Sequence, residues 1–251
     1  MSADDLQFLP GVAADHVIGQ LRAAGGKEIE SGKLASAESS AALAVNTFGW
    51  FVDRPGLLPP LPGLANVGEP TMVDVEYCAR FPWSGGRHPW LDAVVETDTH
   101  LIGVESKRYE PYRDRKKVSL SAAYDRPVWG NRMAQFERMR DRLRSGEARF
   151  DYLDAAQLVK HAFGLVTDAR RRRRQPRLVY LFAEPALLGR TALPPSAFDA
   201  HRRELTAFSE EVTGAEVKFA AFSYREWLAG WAPCRADVAA HALAIRAAFQ
   251  P

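Results

Sequence analysis

Apolar and polar residues alternate along TMVDVEYCARF at residues 71–81. The residues predicted to share one face are Val73, Val75, Tyr77, Ala79 and Phe81. A period of two is typical of a strand with one buried face. The turn-like SGGRH at 84–88 follows, and two more strands are predicted over about 89–97 and 100–109. Three strands joined by short turns predict an antiparallel meander.

Helical periodicity flanks this meander. Residues 34–52 are rich in alanine and repeat large apolar residues at near-helical spacing, which predicts a helix before the first strand. The loop at 54–63 is too rich in proline for helix or strand. After the meander, apolar stripes predict helices over 131–145 and 153–168.

The remaining elements alternate between strand and helix. RLVYLFAEP at 177–185 is an unbroken apolar run, which predicts a strand covered on both faces. A helix over about 197–213 and a strand over 216–224 follow, and two helices end the chain. This order predicts an α/β fold in one domain over residues 1–251, with a mixed central sheet flanked by helices, a core of about 30–225 and C-terminal helices over 226–251.

Composition narrows the class of protein. With 251 residues, 47% of them hydrophobic, the chain is long enough for a sizeable core. No apolar run reaches the roughly 18 residues of a membrane span, and acidic residues precede any apolar run near Met1, unlike a secretory signal. The two cysteines, Cys78 and Cys234, do not predict a disulfide framework. A cytoplasmic protein without membrane contact is therefore expected.

The distribution of charge is more informative than its sum. The net charge of +2 does not identify a nucleic-acid binder. Basic residues are concentrated at 107–117, 132–144 and 170–174, which favours a polyanionic partner. Solvated helix faces and loops would explain each cluster equally well.

Candidate chemistry lies in LDAVVETDTHLIGVESK at 91–107. In the third strand, Glu105 and Lys107 share a face about 6.6 Å apart. A hairpin folded at about 97–100 would bring Asp92 beside Glu105. Carboxylates about 4 Å apart repel by roughly 4 kcal/mol at an effective dielectric constant of 20, and a shared proton or a divalent cation relieves that repulsion. An ordinary hairpin with a polar face is the alternative.

These residues, in this order of elements, resemble the PD-(D/E)XK nuclease superfamily, with a restriction-endonuclease-like αβββαβ core, and in particular a bacterial branch of it. The motif is an aspartate at the start of the second core strand, here Asp92 in HPWLDAVV, and E-x-K in the third, here Glu105-Ser106-Lys107. Position 91 is Leu where the motif has proline. The resemblance covers about residues 30–225.

The resemblance implies Mg²⁺, with Mn²⁺ as a substitute, held by Asp92, Glu105 and the backbone carbonyl of Ser106, while Lys107 positions the nucleophile. It also implies an acid from the first core helix, for which Glu38 is the first choice and Glu30 the second, and a polar residue from the helix after the meander, Gln157. Lys160 and His161 share the face of Gln157. The residues predicted to bind nucleic acid are Arg108, Arg113, Lys116, Lys117 and Lys160.

The predicted function is metal-dependent hydrolysis of phosphodiester bonds. DNA is the first choice of substrate over RNA, and a homodimer is left open. The alternative is a catalytically silent nuclease-like fold that binds nucleic acid or a protein partner. An unrelated enzyme acting on a small phosphorylated substrate is disfavoured, because the sequence contains no glycine-rich phosphate loop, G-x-S-x-G or H-E-x-x-H.

Overall fold

The structure is a computed structural model that describes residues 8–25, 32–36 and 38–251. The strands are β1 (Pro70–Cys78), β2 (Trp90–Thr97), β3 (His100–Lys107), β4 (Gln175–Phe182), β5 (Leu187–Leu188), β6 (Thr191–Ala192) and β7 (Lys218–Ser223). The helices are α1 (Ala14–Ala23), α2 (Ser40–Phe48), α3 (Glu110–Arg113), α4 (Ala134–Ser145), α5 (Ala155–Arg172), α6 (Pro195–Glu211), α7 (Tyr224–Ala229) and α8 (Ala236–Phe249). None of the helices in these described ranges is long and apolar enough to cross a bilayer.

The central sheet is mixed and has five strands in the order β1-β2-β3-β4-β7. β1, β2 and β3 pair antiparallel, as the predicted meander requires, while β4 and β7 join in parallel. The order α2, β1, β2, β3, α5, β4 reproduces the expected αβββαβ core. The restriction-endonuclease-like α/β fold expected from the sequence is therefore confirmed.

Two apolar cores lie on opposite faces of the sheet. The first packs the sheet against α1, α2, α7 and α8, and the second packs it against α4, α5 and α6. β3 and β4 contribute to both cores, so they are buried on both faces. This explains the unbroken apolar run in β4. It also means that charged residues at the end of β3 have little access to water.

The predicted alternation along residues 71–81 is wrong in its second half. Val73 and Val75 lie in the first core, but Ala79 and Phe81 lie in the second, and Tyr77 packs against the second. The change of face follows Glu76, whose φ of 51° is in the left-handed region. A residue in that region rotates the strand locally, as a bulge does, so later side chains change face.

The predicted helix over 34–52 is shorter in the structure. α2 covers only Ser40–Phe48, because Ser39 caps it: the Ser39 Oγ accepts a hydrogen bond from Ala42 N at 3.0 Å. A serine at this position satisfies a backbone N–H that has no partner within the helix, which favours a start here. Trp50 and Phe51 follow the helix but remain buried in the first core.

Two buried histidines make stability depend on pH. Burial, with smaller contributions from Lys116 and Arg202, lowers the pKa of His201 to about 3. Burial lowers the pKa of His241 to about 4. Since an unfolded histidine has a pKa near 6.5, the unfolded chain takes up protons first as the pH falls. This contribution to stability is complete above about pH 6.5 and is lost as the pH falls towards the folded values.

We expect these two histidines to contribute a fall of about 4 kcal/mol in the free energy of unfolding, measured with urea, between pH 7 and pH 5. His241→Phe keeps an aromatic ring stacked on Trp50, 5.1 Å away between centroids, and should remove about half of that fall. An unchanged pH dependence in this variant would contradict the assignment.

Two glycine positions should respond to alanine with opposite signs. A Cβ at Gly164 in α5 would lie 2.6 Å from the carbonyl oxygen of Ala79, so Gly164→Ala should destabilise the fold by about 1–3 kcal/mol. Gly19 in α1 has nothing within 4 Å of the added Cβ. Gly19→Ala should therefore raise the free energy of unfolding by about 0.5–1 kcal/mol. Equal effects in urea titrations would refute this account of the packing of α5.

Candidate active site

The register of the hairpin brings Asp92 and Glu105 to the same level. Ala93 of β2 pairs with Val104 of β3, so the next residues outward are Asp92 and Glu105. The Asp92 Oδ2 accepts a hydrogen bond from Ser106 N at 2.6 Å. This side-chain hydrogen bond joins β2 and β3 at the position where the next backbone hydrogen bond between the strands would be expected.

Both carboxylate oxygens of Glu105 have cationic or imidazole neighbours. Lys107 Nζ forms an ion pair with Oε1, and His161 Nε2 of α5 lies 2.8 Å from Oε2. The side chains of Glu105 and His161 are each 3% exposed and that of Lys107 is 14% exposed. Charges this deeply buried persist only when they are paired and hydrogen-bonded.

The two carboxylates of the site differ in acidity. Burial raises the pKa of Asp92 well above its usual value, and the negative charge of Glu105 adds to this. Burial also acts to raise the pKa of Glu105, but Lys107 and His161 outweigh it and lower that pKa to about 2. Burial acts to lower the pKa of Lys107, yet Glu105 and Asp92 raise it above its usual value. Lys107 is therefore an ammonium at neutral pH.

The opposite face of β3 is anchored in the first core. Leu101, Gly103 and Glu105 lie on the face of β3 that is turned to α5. Ile102, Val104 and Ser106 lie on the face turned to α2 and α7, as the alternation predicted. The hydroxyls of Ser106 and Tyr224 are hydrogen-bonded at 2.7 Å. Since Ser106 N also binds Asp92, this contact fixes the strand residue that carries the site.

Two further acids lie near the site and were not predicted. Glu76 of β1 contributes to raising the pKa of Asp92, and Glu110 of α3 contributes to raising that of Lys107. Ser40 Oγ of α2 donates to Glu110, and Arg108 N donates to it at 2.9 Å. The left-handed φ of Glu76 costs about 1–3 kcal/mol, and such residues cluster at functional sites.

The predicted helix acid, Glu38, and the predicted helix amide, Gln157, lie outside the two strands that carry Asp92 and Glu105. Glu38 precedes α2 and lies 3.7 Å from Arg113, with 41% of its side chain exposed. Its charge is not among the main influences on the pKa of Asp92 or Glu105, so the site role expected for Glu38 stays a prediction. Glu30 lies outside the described residues. Gln157 lies in the first turn of α5 on the helix face of His161, half-buried.

His161 is the residue that sequence reasoning undervalued. Its place four residues after Gln157 is visible in the sequence, but a histidine on a helix face is more often structural. Only the antiparallel course of α5 beside β3 sets its ring against Glu105. The signal available in the sequence was the helical spacing of Gln157, Lys160 and His161. Of these three, the structure places His161 against Glu105.

Arg108 was expected to contact phosphate, and the structure contradicts this. Only 5% of Arg108 is exposed, and its guanidinium donates to the carbonyl oxygen of Phe249 at the end of α8. β3 ends at Lys107 in the covered middle of the sheet, so the next side chain is packed under the C-terminal helix. A buried guanidinium cannot reach a nucleic-acid backbone.

The other predicted basic residues remain closer to solvent. Arg113 binds Asp114 at 2.8 Å, and Lys116 is half-buried and donates to the carbonyl oxygen of Glu110. Lys117 is exposed and Lys160 half-buried. The charge of Lys107 contributes to lowering the pKa of Lys116, after the larger effect of burial.

The arginine run at 170–174 is largely neutralised by carboxylates. Arg170 pairs with Glu216, Arg171 with Asp168, and both Arg172 and Arg174 with Glu96. Glu96 of β2 pairs with Leu101 of β3. Leu101 lies about 20 Å along β3 from Lys107. The run therefore lies at the other end of the sheet and is not a phosphate clamp for this site.

A metal ion would have few protein ligands here. In residues 8–25, 32–36 and 38–251, no three His, Cys, Asp or Glu side chains are grouped to hold a metal. Asp92 and Glu105 nevertheless supply hard oxygens. Backbone N–H and C=O of one strand residue point the same way, so the Ser106 carbonyl is directed towards β2 with its N–H. Mg²⁺ uses one or two carboxylates and leaves other positions to water and substrate, so these residues fit it.

The mixed sheet, with charged residues at the adjoining ends of β2 and β3, agrees with a restriction-endonuclease-like protein. The chain belongs to the family described as "Restriction Endonuclease associating with ARP", whose model matches residues 7–233. No curated protein and no solved structure matches the chain.

The raised pKa of Asp92 predicts a gain in stability when its charge is removed. The folded pKa lies above the unfolded value, so ionisation at neutral pH destabilises the folded state, by about 1.4 kcal/mol for each pKa unit. Asp92→Asn keeps an oxygen for Ser106 N. With EDTA present, it should raise the free energy of unfolding at pH 7 by about 1–2 kcal/mol.

Asp237→Asn is the matched control, because Asp237 is 44% exposed and forms its ion pair with Arg235 at the surface. It should change stability by less than about 0.5 kcal/mol. A loss of stability in Asp92→Asn would show that its charge strengthens the bond to Ser106 more than Glu105 repels it.

Proposed function

We propose that this protein is a Mg²⁺-dependent nuclease of the PD-(D/E)XK type that hydrolyses phosphodiester bonds in DNA. The observation that carries the proposal is the convergence of Asp92, Glu105 and Lys107 at the adjoining ends of β2 and β3. Membership of a restriction endonuclease family supports the same reading. The family description also supports an association with ARP.

Asp92, Glu105 and the Ser106 carbonyl would hold the metal. When bound, Mg²⁺ supplies a Lewis acid for a phosphoryl oxygen and increases the acidity of a coordinated water. The burial of both carboxylates strengthens their attraction for a cation, because few water molecules compete. His161 holds one oxygen of Glu105 and so keeps the carboxylate in a single orientation.

Lys107 would act on the phosphate as a cation. Its raised pKa keeps the ammonium protonated at neutral pH, so it donates hydrogen bonds rather than accepting a proton. On substrate binding the ammonium would exchange part of its contact with Glu105 for a phosphate oxygen. Stabilisation of the developing negative charge by a positioned donor is commonly worth about 10²–10³ in rate.

One observation favours a second function, binding without cleavage. Both oxygens of Glu105 already contact Lys107 and His161, and a metal would have to compete with those contacts. A nuclease-like protein locked in this arrangement would bind nucleic acid or a protein partner but would not hydrolyse DNA.

Cleavage assays separate the two functions. Wild-type protein should cut plasmid or single-stranded DNA with Mg²⁺ or Mn²⁺ and be inactive in EDTA, and RNA serves as the comparison substrate. Lys107→Ala should lower the rate by at least about 100-fold. Lys218→Ala is the matched control, since Lys218 is exposed and level with Ile102 at the other end of the sheet.

Absence of metal-dependent cleavage of every substrate by the wild type would exclude the nuclease and leave the binding function. Equal rates in wild type and Lys107→Ala would instead refute the assignment of the site.

A further inference from the structure

A cavity of about 240 Å³ lies beside the candidate active site and plays no part in the chemistry above. It is bounded by the chain after α3, the loop after α4 and the first turn of α5. Its apolar lining includes Leu143, Phe150, Leu153 and Ala156. Phe150 is half-buried and packs on Phe208 with ring centroids 6.2 Å apart.

Three cations stand around this apolar lining: Lys116, Lys117 and Arg149. Within the described ranges, none of the three forms an ion pair with a carboxylate. Lys117 and Arg149 are exposed. Two acids also line the cavity: Asp151, which is exposed, and Asp154, one of whose oxygens caps α5 by accepting from Gln157 N at 2.9 Å. The unpaired basic charge contrasts with the neutralised run at 170–174.

The cavity is close to the scissile position proposed above. His161 contacts Glu105, and Ala155 at the cavity precedes it by six residues in the same helix, about 9 Å at 1.5 Å per residue. Lys116 lines the cavity and donates to the carbonyl oxygen of Glu110, a residue three positions after Lys107. A nucleic-acid strand rises about 3.4 Å per nucleotide, so the distance corresponds to two or three nucleotides.

We propose that this cavity takes one unpaired nucleobase of the substrate strand, two or three nucleotides from the phosphate at Lys107; the inference rests on the proposed nuclease function. An aromatic ring for a base and cations for the flanking phosphates are the combination with which proteins bind single strands. A base inside a duplex is stacked and cannot enter such a cavity unless it is flipped out. The volume lies below the roughly 300–1,000 Å³ of pockets for drug-sized ligands, which suits one base.

Binding without cleavage tests the cavity directly. The full chain in EDTA is titrated against a fluorescein-labelled single-stranded 12-mer of deoxynucleotides and against a 12-mer of the same length whose central sugars are abasic. The wild type should bind the base-bearing strand about ten-fold more tightly. Phe150→Leu keeps an apolar contact with Phe208 but removes the ring face, and should bring the affinity ratio close to one. A partly unfolded variant would lose affinity for both strands without changing their ratio.

Phosphate contacts have a different signature from base contacts. The double variant Lys117→Ala, Arg149→Ala should weaken binding of both strands alike, preserve their ratio, and reduce the salt dependence of binding by roughly two phosphate contacts. Arg22→Ala is the control, because Arg22 is an exposed arginine on α1, which packs on β1 at the far edge of the sheet.

Equal wild-type affinity for both strands, no binding of either strand, or an unchanged ratio in Phe150→Leu would each overturn the proposal. These outcomes are independent of the proposed catalysis. Absence of cleavage with Mg²⁺ together with an intact base-dependent ratio would remove the nuclease and keep the cavity, whereas cleavage with equal affinities would remove only the cavity.

Discussion

Burial of charge at the end of β3 is the constraint on which the site depends. Glu105 is almost inaccessible to water, so its ionised form is stable only because Lys107 and His161 are held against it. Asp92 lies opposite and is less acidic because it is buried and, to a smaller extent, because Glu105 is charged. The result is one stable anion, one carboxylate that resists ionisation and one ammonium.

Both cores are needed to hold this arrangement. The second core places α5 so that His161 meets Glu105, and close approach at Gly164 keeps that helix near β1. The first core places Tyr224 against the Ser106 hydroxyl, on the opposite face of the same strand. A strand buried on both faces has little freedom to twist, so its backbone holds Glu105 and Ser106 firmly in place. This rigidity is what a centre with few protein ligands for a metal would require.

The basic residues of the chain divide into two groups by their partners. The run at 170–174 is tied to carboxylates and joins α5 and β4 to neighbouring elements, so its role is structural. Lys117 and Arg149 keep their charge near the cavity at the start of α5. Only part of the basic charge clustered along the sequence therefore lies on the surface available to a polyanion. Whether a basic side chain is neutralised depends on whether an acidic residue lies close enough to pair with it, as Glu96 and Glu216 do.

The sequence by itself determined the order of elements, because hydrophobic periodicity reports which face of each element is buried, and it determined the hairpin that joins Asp92 to Glu105. Tertiary structure alone decided which other side chains reach that hairpin. His161 meets Glu105 because α5 runs antiparallel to β3, Arg108 is buried because α8 covers the end of β3, and β1 changes face because Glu76 adopts a left-handed conformation. Periodicity describes neighbours a few residues apart, whereas these contacts join residues 56 and 141 positions apart, and only packing sets their distance.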